Sequence, residues 1–325
     1  MRYTVGMRAA TIADGRILIA DRPDPIPGPG QLLVRVGAAG LNGADMMQLR
    51  GLYPPPPGVP ADIPGLELAG EVVALGSGAT RYRPGDRVMS LVGGGAQAEL
   101  AVVDESAAMP VPAALDWPAA GGFPEIFTTA HDALVSQCGL QSGERLLVTG
   151  AAGGVGTAAV QIGIALGAGV VASVRHPALR PAVAELGAQV VDPLEAAGRG
   201  PYDVILELVG GPSFEANLPA LAQGGRLAVI GVGGGPRVEL DLLALMGRRA
   251  RVMGSTLRSR SPEEKALATR RIETDLLPLV EAGRLRVIVG EVFALEGAPD
   301  AYARFASGGK LGKIVLIPCA LATGA

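Results

Sequence analysis

The chain has 325 residues, 49% hydrophobic and 18% charged, which is enough apolar material for a large core despite 48 glycines and 26 prolines. A net charge of −3 argues against nucleic acid or an anionic membrane surface as the partner. Two cysteines, Cys138 and Cys319, exclude a disulfide framework.

The segment Met1 to Gly6 lacks an apolar signal-peptide core, so the expected location is cytoplasmic. Residues 1–124 are rich in Gly and Pro and carry short β-type runs at 32–36, 68–75, 87–91 and 98–103. Turn signals such as Pro84-Gly-Asp86 separate them, which predicts a β-barrel-like or roll domain. Across 125–261, strand candidates at 145–150, 169–175, 189–192, 202–208, 226–232 and 250–257 alternate with helical stretches. That alternation predicts an α/β fold with a doubly wound parallel sheet. A helix is predicted over 262–281, with Ser261 as cap, Pro262 at its first position, and Glu263 and Glu264 at the positive end of its dipole. The β runs 287–293 and 313–318 return to the first domain, because six strands already complete the parallel sheet.

The most informative stretch is Leu146-Leu-Val-Thr-Gly150-Ala-Ala-Gly-Gly-Val-Gly156. A strand, a glycine turn and a helix start hold a dinucleotide pyrophosphate, with backbone N–H groups aimed at phosphate. Ala151, Gly153, Gly154, Val155 and Gly156 are the candidate contacts. The next strand ends in Arg175, with no acid for a ribose 2′-hydroxyl, and guanidinium pairs well with a 2′-phosphate. Arg175, with Arg180 as second candidate, points to NADP(H). Residues 146–174 carry no charge over a length that would span a bilayer. Their glycine punctuation instead reads as strand, loop, helix, loop and strand.

The chain resembles the zinc-free quinone oxidoreductase branch of the medium-chain dehydrogenase/reductases. The resemblance rests on Gly40-Leu-Asn-Gly-Ala-Asp45, Arg50-Gly-Leu-Tyr53, Pro64-Gly-Leu-Glu-Leu-Ala-Gly-Glu-Val72, Pro84-Gly-Asp-Arg-Val88, the glycine loop, Glu185-Leu-Gly-Ala188 and Gly309-Lys-Leu-Gly-Lys-Ile-Val-Leu316. Within that branch it is similar to the NADPH quinone oxidoreductases of the animal stress-induced type, through Asn42-x-Ala-Asp-x-Met-Gln48, Tyr53-Pro-Pro-Pro-Pro-Gly58, Pro124-Glu125 and Leu257-Arg-Ser-Arg260. The resemblance implies a GroES-like β-rich catalytic domain (1–124 and 262–325) and a Rossmann NADP(H)-binding domain (125–261). It also implies a cofactor cleft between them and a homodimer, for which the edge strand 250–257 is the candidate seam. It adds Thr129, Gly231, Val232, Leu257 and Lys313 as cofactor contacts. One departure is Pro193, where related NADPH enzymes often carry a tyrosine over the adenosine phosphate.

Zinc-dependent cousins place cysteine and histidine where this chain has Asn42 and Gly43, and histidine where it has Leu66. Glu67 and Glu125 alone make a poor zinc site, so no metal is expected. Without a metal, the substrate oxygen needs a hydrogen-bond donor. Tyr53 is the first candidate, since a phenol with a pKa near ~10 stays protonated. Asn42 is the second, and Gln48 lines the same pocket. Asn42 also fits a cap for a helix over 44–50, and Tyr53 fits packing on Pro54–Pro57. Three activities remain open: an NADPH-dependent quinone reductase, a reductase of activated C=C bonds in enones, enals or enoyl thioesters, and a dinucleotide-binding sensor with little turnover.

Overall fold

The computed structural model describes residues 6–319 and 321. Residues 1–5, part of the segment read for a leader, lie outside the described residues. The chain divides into two units. One comprises Met1–Glu125, Arg258–Gly308 and Lys313–Ala325, the other Ile126–Leu257 and Gly309–Gly312.

The first unit opens with a hairpin of β1 (Gly6–Ala13) and β2 (Arg16–Pro23). Its two-residue turn, Asp14-Gly15, has φ of 49° and 70°. Both central residues at positive φ match the right-handed twist of the strands, which is why Asp-Gly suits this position. There follow β3 (Gln31–Gly40), β4 (Glu67–Leu75), β5 (Arg87–Leu91), β6 (Leu100–Asp104) and β7 (Ala108–Pro110), paired antiparallel. Alternate residues Leu32, Val34 and Val36 of β3 point into a core with Leu68, Val72, Val88 and Val103. Each such side chain contributes ~1.5–3 kcal/mol on burial.

The second unit carries β8 (Arg145–Val148), β9 (Gly169–Ser173), β10 (Gln189–Val191), β11 (Tyr202–Glu207), β12 (Leu221–Val229) and β13 (Arg251–Gly254). All pair parallel in the order β10-β9-β8-β11-β12-β13. The order reverses beside β8, and open α/β sheets bind dinucleotides at such a switch point. Val171, Leu147, Ile205 and Leu227 form a buried row across four adjacent strands. The uncharged run 146–174 is thus β8, the helix Gly154–Ala165 and β9. No helix among the described residues is long and apolar enough to cross a membrane.

The tail supplies β14 (Val289–Ala294) and β15 (Lys313–Ile317), and β15 joins β3 of the first unit. Two expectations need correction. β12 starts at Leu221, five residues before 226, and the helix read over 262–281 is two helices, Pro262–Asp275 and Leu277–Glu281. Pro278 lacks an N–H and its ring crowds the preceding turn, so the break falls at Leu276.

Candidate active site and cofactor cradle

In the second unit, β8 runs into a turn at Gly150, whose φ of 58° favours glycine. The Ala151 N–H donates to the carbonyl of Ser173 at the end of β9, 3.1 Å away. Gly153 caps the twelve-residue helix Gly154–Ala165 with no side chain. The N–H groups of Gly154, Val155 and Gly156 therefore stand at an open, electropositive helix end. Gly153 and Gly156 differ physically. A Cβ at Gly156 would lie 2.6 Å from the Ala151 Cα and the Gly150 oxygen, so the loop itself requires glycine there. A Cβ at Gly153 would meet only the Gly150 oxygen, at an ordinary 3.4 Å. The tail segment crosses the loop, where the Gly312 N–H donates to Ala152 O at 2.8 Å.

Thr129 lies in the helix Pro124–His131, 8% exposed, and its hydroxyl has no hydrogen-bond partner, as is true of Thr128. An unmet buried hydroxyl costs ~1–3 kcal/mol, and a ligand oxygen would remove that cost. Arg175 is exposed just past β9 and makes no ion pair among the described residues. Arg180 is not equivalent. Its Nη2 bonds Asp192 at 2.5 Å and its Nε donates to Val174 O at 3.1 Å, so its guanidinium is already engaged. Gly231 and Val232 follow β12, which ends at Val229, and do not end the strand themselves. A Cβ at Gly231 would fall 2.2 Å from Leu208 O, so this backbone packs against the segment after β11. Leu257 is buried three residues beyond β13, and so does not end that strand either. An open helix end, an unmet hydroxyl and an unpaired arginine suit a dinucleotide. Gly154, Val155, Gly156, Thr129 and Arg175 are the residues that would hold it.

In the first unit, Asn42 precedes the helix Gly43–Leu49 as its N-cap, and Asp45 accepts the Asn42 N–H at 2.8 Å. The other Asp45 oxygen accepts the Gly65 N–H at 3.1 Å, which ties this helix to the approach to β4. Glu67, fully buried, begins β4. One of its oxygens accepts from Lys313 Nζ at 2.5 Å and from Asn42 Nδ2 at 2.9 Å, and the other accepts the Glu125 N–H at 2.8 Å. The Lys313 ammonium also donates to Leu41 O and Asn42 Oδ1, each at 2.7 Å. Gly40 makes room for this pair, since a Cβ there would lie 2.3 Å from Glu67 Oε1 and 2.9 Å from Lys313 Cε.

These contacts correct two expectations. Lys313 is 2% exposed with all three N–H groups donated inside the first unit, so it is not a phosphate contact. The Asn42 amide is spent on Glu67, on Lys313 and, at 3.4 Å, on Gly40 O, so it has no N–H to offer a substrate. Burial pushes the Asp45 carboxyl up to about 6. Burial, then the Glu67 carboxylate, pushes Glu125 up to about 8, so its carboxyl is mostly protonated at neutral pH.

Tyr53 and Gln48 are brought together by Arg258, a residue that periodicity and spacing did not single out. Arg258 is 4% exposed. Its Nη2 donates to Gln48 Oε1 at 2.6 Å, its Nη1 to Tyr53 O at 2.8 Å and its Nε to Gly93 O at 2.8 Å. Its guanidinium carbon lies 4.9 Å from the Tyr53 ring centre. The Tyr53 hydroxyl makes no hydrogen bond among the described residues. Burial raises its pKa, so it remains a donor. The one signal for Arg258 in the sequence was its place in Leu257-Arg-Ser-Arg260.

Zinc does not suit this cluster. No group of three or more His, Cys, Asp or Glu side chains among the described residues is placed to hold a metal ion. The Lys313 ammonium already sits on the Glu67 and Asn42 oxygens, and a divalent cation there would face an unscreened positive charge.

Comparison with known proteins agrees with this architecture. Residues 28–113 match the alcohol dehydrogenase GroES-like domain family, and residues 170–316 match the zinc-binding dehydrogenase family. The quinone oxidoreductase of Homo sapiens is 30% identical over 315 residues, covering 92% of this chain and 93% of that one. The spectinabilin polyketide synthase system protein NorB of Streptomyces orinoci is 34% identical over 302 residues, which is 89% of this chain but 13% of that one. A solved mycobacterial protein complexed with NADPH matches with a TM-score of 0.86 and 26% identity, covering 96% of this chain and 100% of that one. The chain belongs to the medium-chain dehydrogenase/reductase superfamily, as an oxidoreductase with a GroES-like domain, a Rossmann-like parallel sheet and quinone oxidoreductases among its relatives.

Proposed function

We propose that the protein is a zinc-independent quinone reductase that draws on NADPH. The observation that carries the cofactor reading is Arg175, exposed and without an ion pair among the described residues where β9 ends, on a strand that itself carries no acid, while the nearby Asp192 is engaged by Arg180. When bound, NADPH supplies the hydride. The chain's residues bind and orient: the open helix end at Gly154–Gly156 takes the pyrophosphate, and Thr129 satisfies its hydroxyl on the ligand. The Tyr53 phenol donates a hydrogen bond to the quinone oxygen that gains charge, and solvent completes the protonation. A small-molecule quinone is the partner, a homodimer the assembly and the cytoplasm the location. Leu242, Leu243 and Met246, exposed on the helix Leu242–Arg248 that precedes edge strand β13 in the chain, support the dimer. Light scattering at micromolar concentration tests it, and a monomeric mass rejects it.

The likeness to a polyketide synthase segment favours a second reading, reduction of an activated C=C bond with the same phenol donating to the enone or thioester oxygen. NADPH consumption with an ortho-quinone, run beside NADH and beside an enone, separates the two. Fast oxidation of NADPH with the quinone supports the first. Preference for the enone moves the protein to the second, and cofactor binding without turnover on either acceptor indicates a sensor.

A further inference from the structure

We infer that Arg258 is the positioning residue for the Tyr53 donor, an inference that rests on the phenol role proposed above. Tyr53 sits in Gly51–Pro60, a stretch with no helix or strand. Prolines at 54, 55, 56 and 57 remove four N–H groups from that stretch, so it has little means of bonding to itself. The proline run stiffens the backbone after Tyr53, but with so few donors of its own it does not bond the Tyr53 residue to the rest of the fold.

Arg258 supplies what the loop lacks. It arrives from the turn before the helix Pro262–Asp275, 205 residues later in the chain. Its fork joins three separate elements: Tyr53 O in the loop, Gln48 Oε1 on the helix Gly43–Leu49, and Gly93 O after β5. The same guanidinium lies against the Tyr53 ring. Backbone and ring of one residue are thus fixed by one buried cation, which leaves the hydroxyl as the unengaged end. Lysine would keep the charge but not the fork, because an ammonium on a flexible stem cannot present three coplanar donors.

The test compares wild type, Tyr53→Phe, Arg258→Lys and the double variant by quinone-dependent NADPH oxidation. It adds ¹⁹F NMR of protein carrying 3-fluorotyrosine at its five tyrosines, with the Tyr53 signal assigned by its loss in Tyr53→Phe. Arg258→Lys is expected to lower kcat about tenfold with the KM for NADPH unchanged, and to have no effect once Tyr53 is Phe. The Tyr53 resonance is expected to broaden or split in Arg258→Lys while the other four hold. Gln48→Met, which removes one acceptor of the fork, is expected to act in the same direction and more weakly. Independent losses that multiply in the double variant, or an unchanged Tyr53 resonance, overturn the inference. If Tyr53→Phe alone keeps full activity, the proposed donor role fails, and the resonance still decides whether Arg258 orders the loop.

Discussion

The glycine loop after β8 and the cluster around Glu67 are built from opposite materials. The loop offers backbone N–H groups and almost no side chains, and its helix end is left uncapped. The cluster consists of polar side chains, and the Glu67, Asn42 and Lys313 groups are already bonded to one another. An open set of donors suits a ligand, whereas a closed set suits a scaffold. Tyr53, Arg175 and Thr129, candidate side chains whose polar ends have no partner among the described residues, therefore take the chemical roles in the proposed function, and Lys313 and Asn42 do not.

The closed character of the cluster is tested most severely by Lys313→Met. Glu67 would be left buried and charged with no ammonium, which costs about 3–5 kcal/mol. Urea unfolding measures it, and a loss below about 1 kcal/mol would mean that the cluster is hydrated. The open character of the loop is tested by two glycines. Gly156→Ala forces a Cβ into the Gly150–Ala151 backbone and is expected to cost about 1–3 kcal/mol of stability as well as NADPH binding. Gly153→Ala has room within the fold, so it is expected to hold its melting temperature and lose cofactor affinity alone. Equal melting shifts in the two variants would show that Gly153 also serves the fold.

Arg175→Ala is the sharper probe of cofactor choice. It is expected to weaken NADPH about tenfold, or about 1.4 kcal/mol, and to leave NADH unchanged, read by titration of cofactor fluorescence. The last effect is one of pH and concerns Glu125. Its carboxyl is held up at about 8 in the fold against an ordinary 4.5. Between those values the folded chain keeps a proton that the unfolded chain releases, so stability falls as pH rises through the window, and the full penalty applies above it. Glu125→Gln removes the penalty. Relative to wild type it should gain stability progressively as pH rises from 4.5 to 8, keep the full gain above pH 8, and show no titration difference below pH 4.5.

The contrast between the two regions also explains what could be read in the sequence. The loop is a local pattern, in which strand, glycines and helix start lie within about a dozen residues, so its chemistry is visible before any fold is known. The same holds for the capping box of Ser261 and Glu264. The Asp14-Gly15 turn is equally local, yet its hairpin is hard to read in the sequence because residues 6–23 mix charged and apolar residues without a clean alternation. The cluster is different. Lys313 meets Glu67 across 246 residues, because β15 pairs with β3 and sets its first residue beside Leu41 and Asn42. A lysine in a Gly-Lys motif looks like a phosphate ligand until that pairing is known. Arg258 was hidden for the same reason, with acceptors 165 to 210 residues away.

The proposal that the reaction needs no metal follows from the ammonium resident in the cluster. It is tested by quinone-dependent NADPH oxidation on protein dialysed against a strong chelator, with zinc content measured on the same sample. The account predicts a full rate with far less than one zinc per chain and no gain when zinc is added back. A rate that falls with the zinc and returns with it would contradict the account.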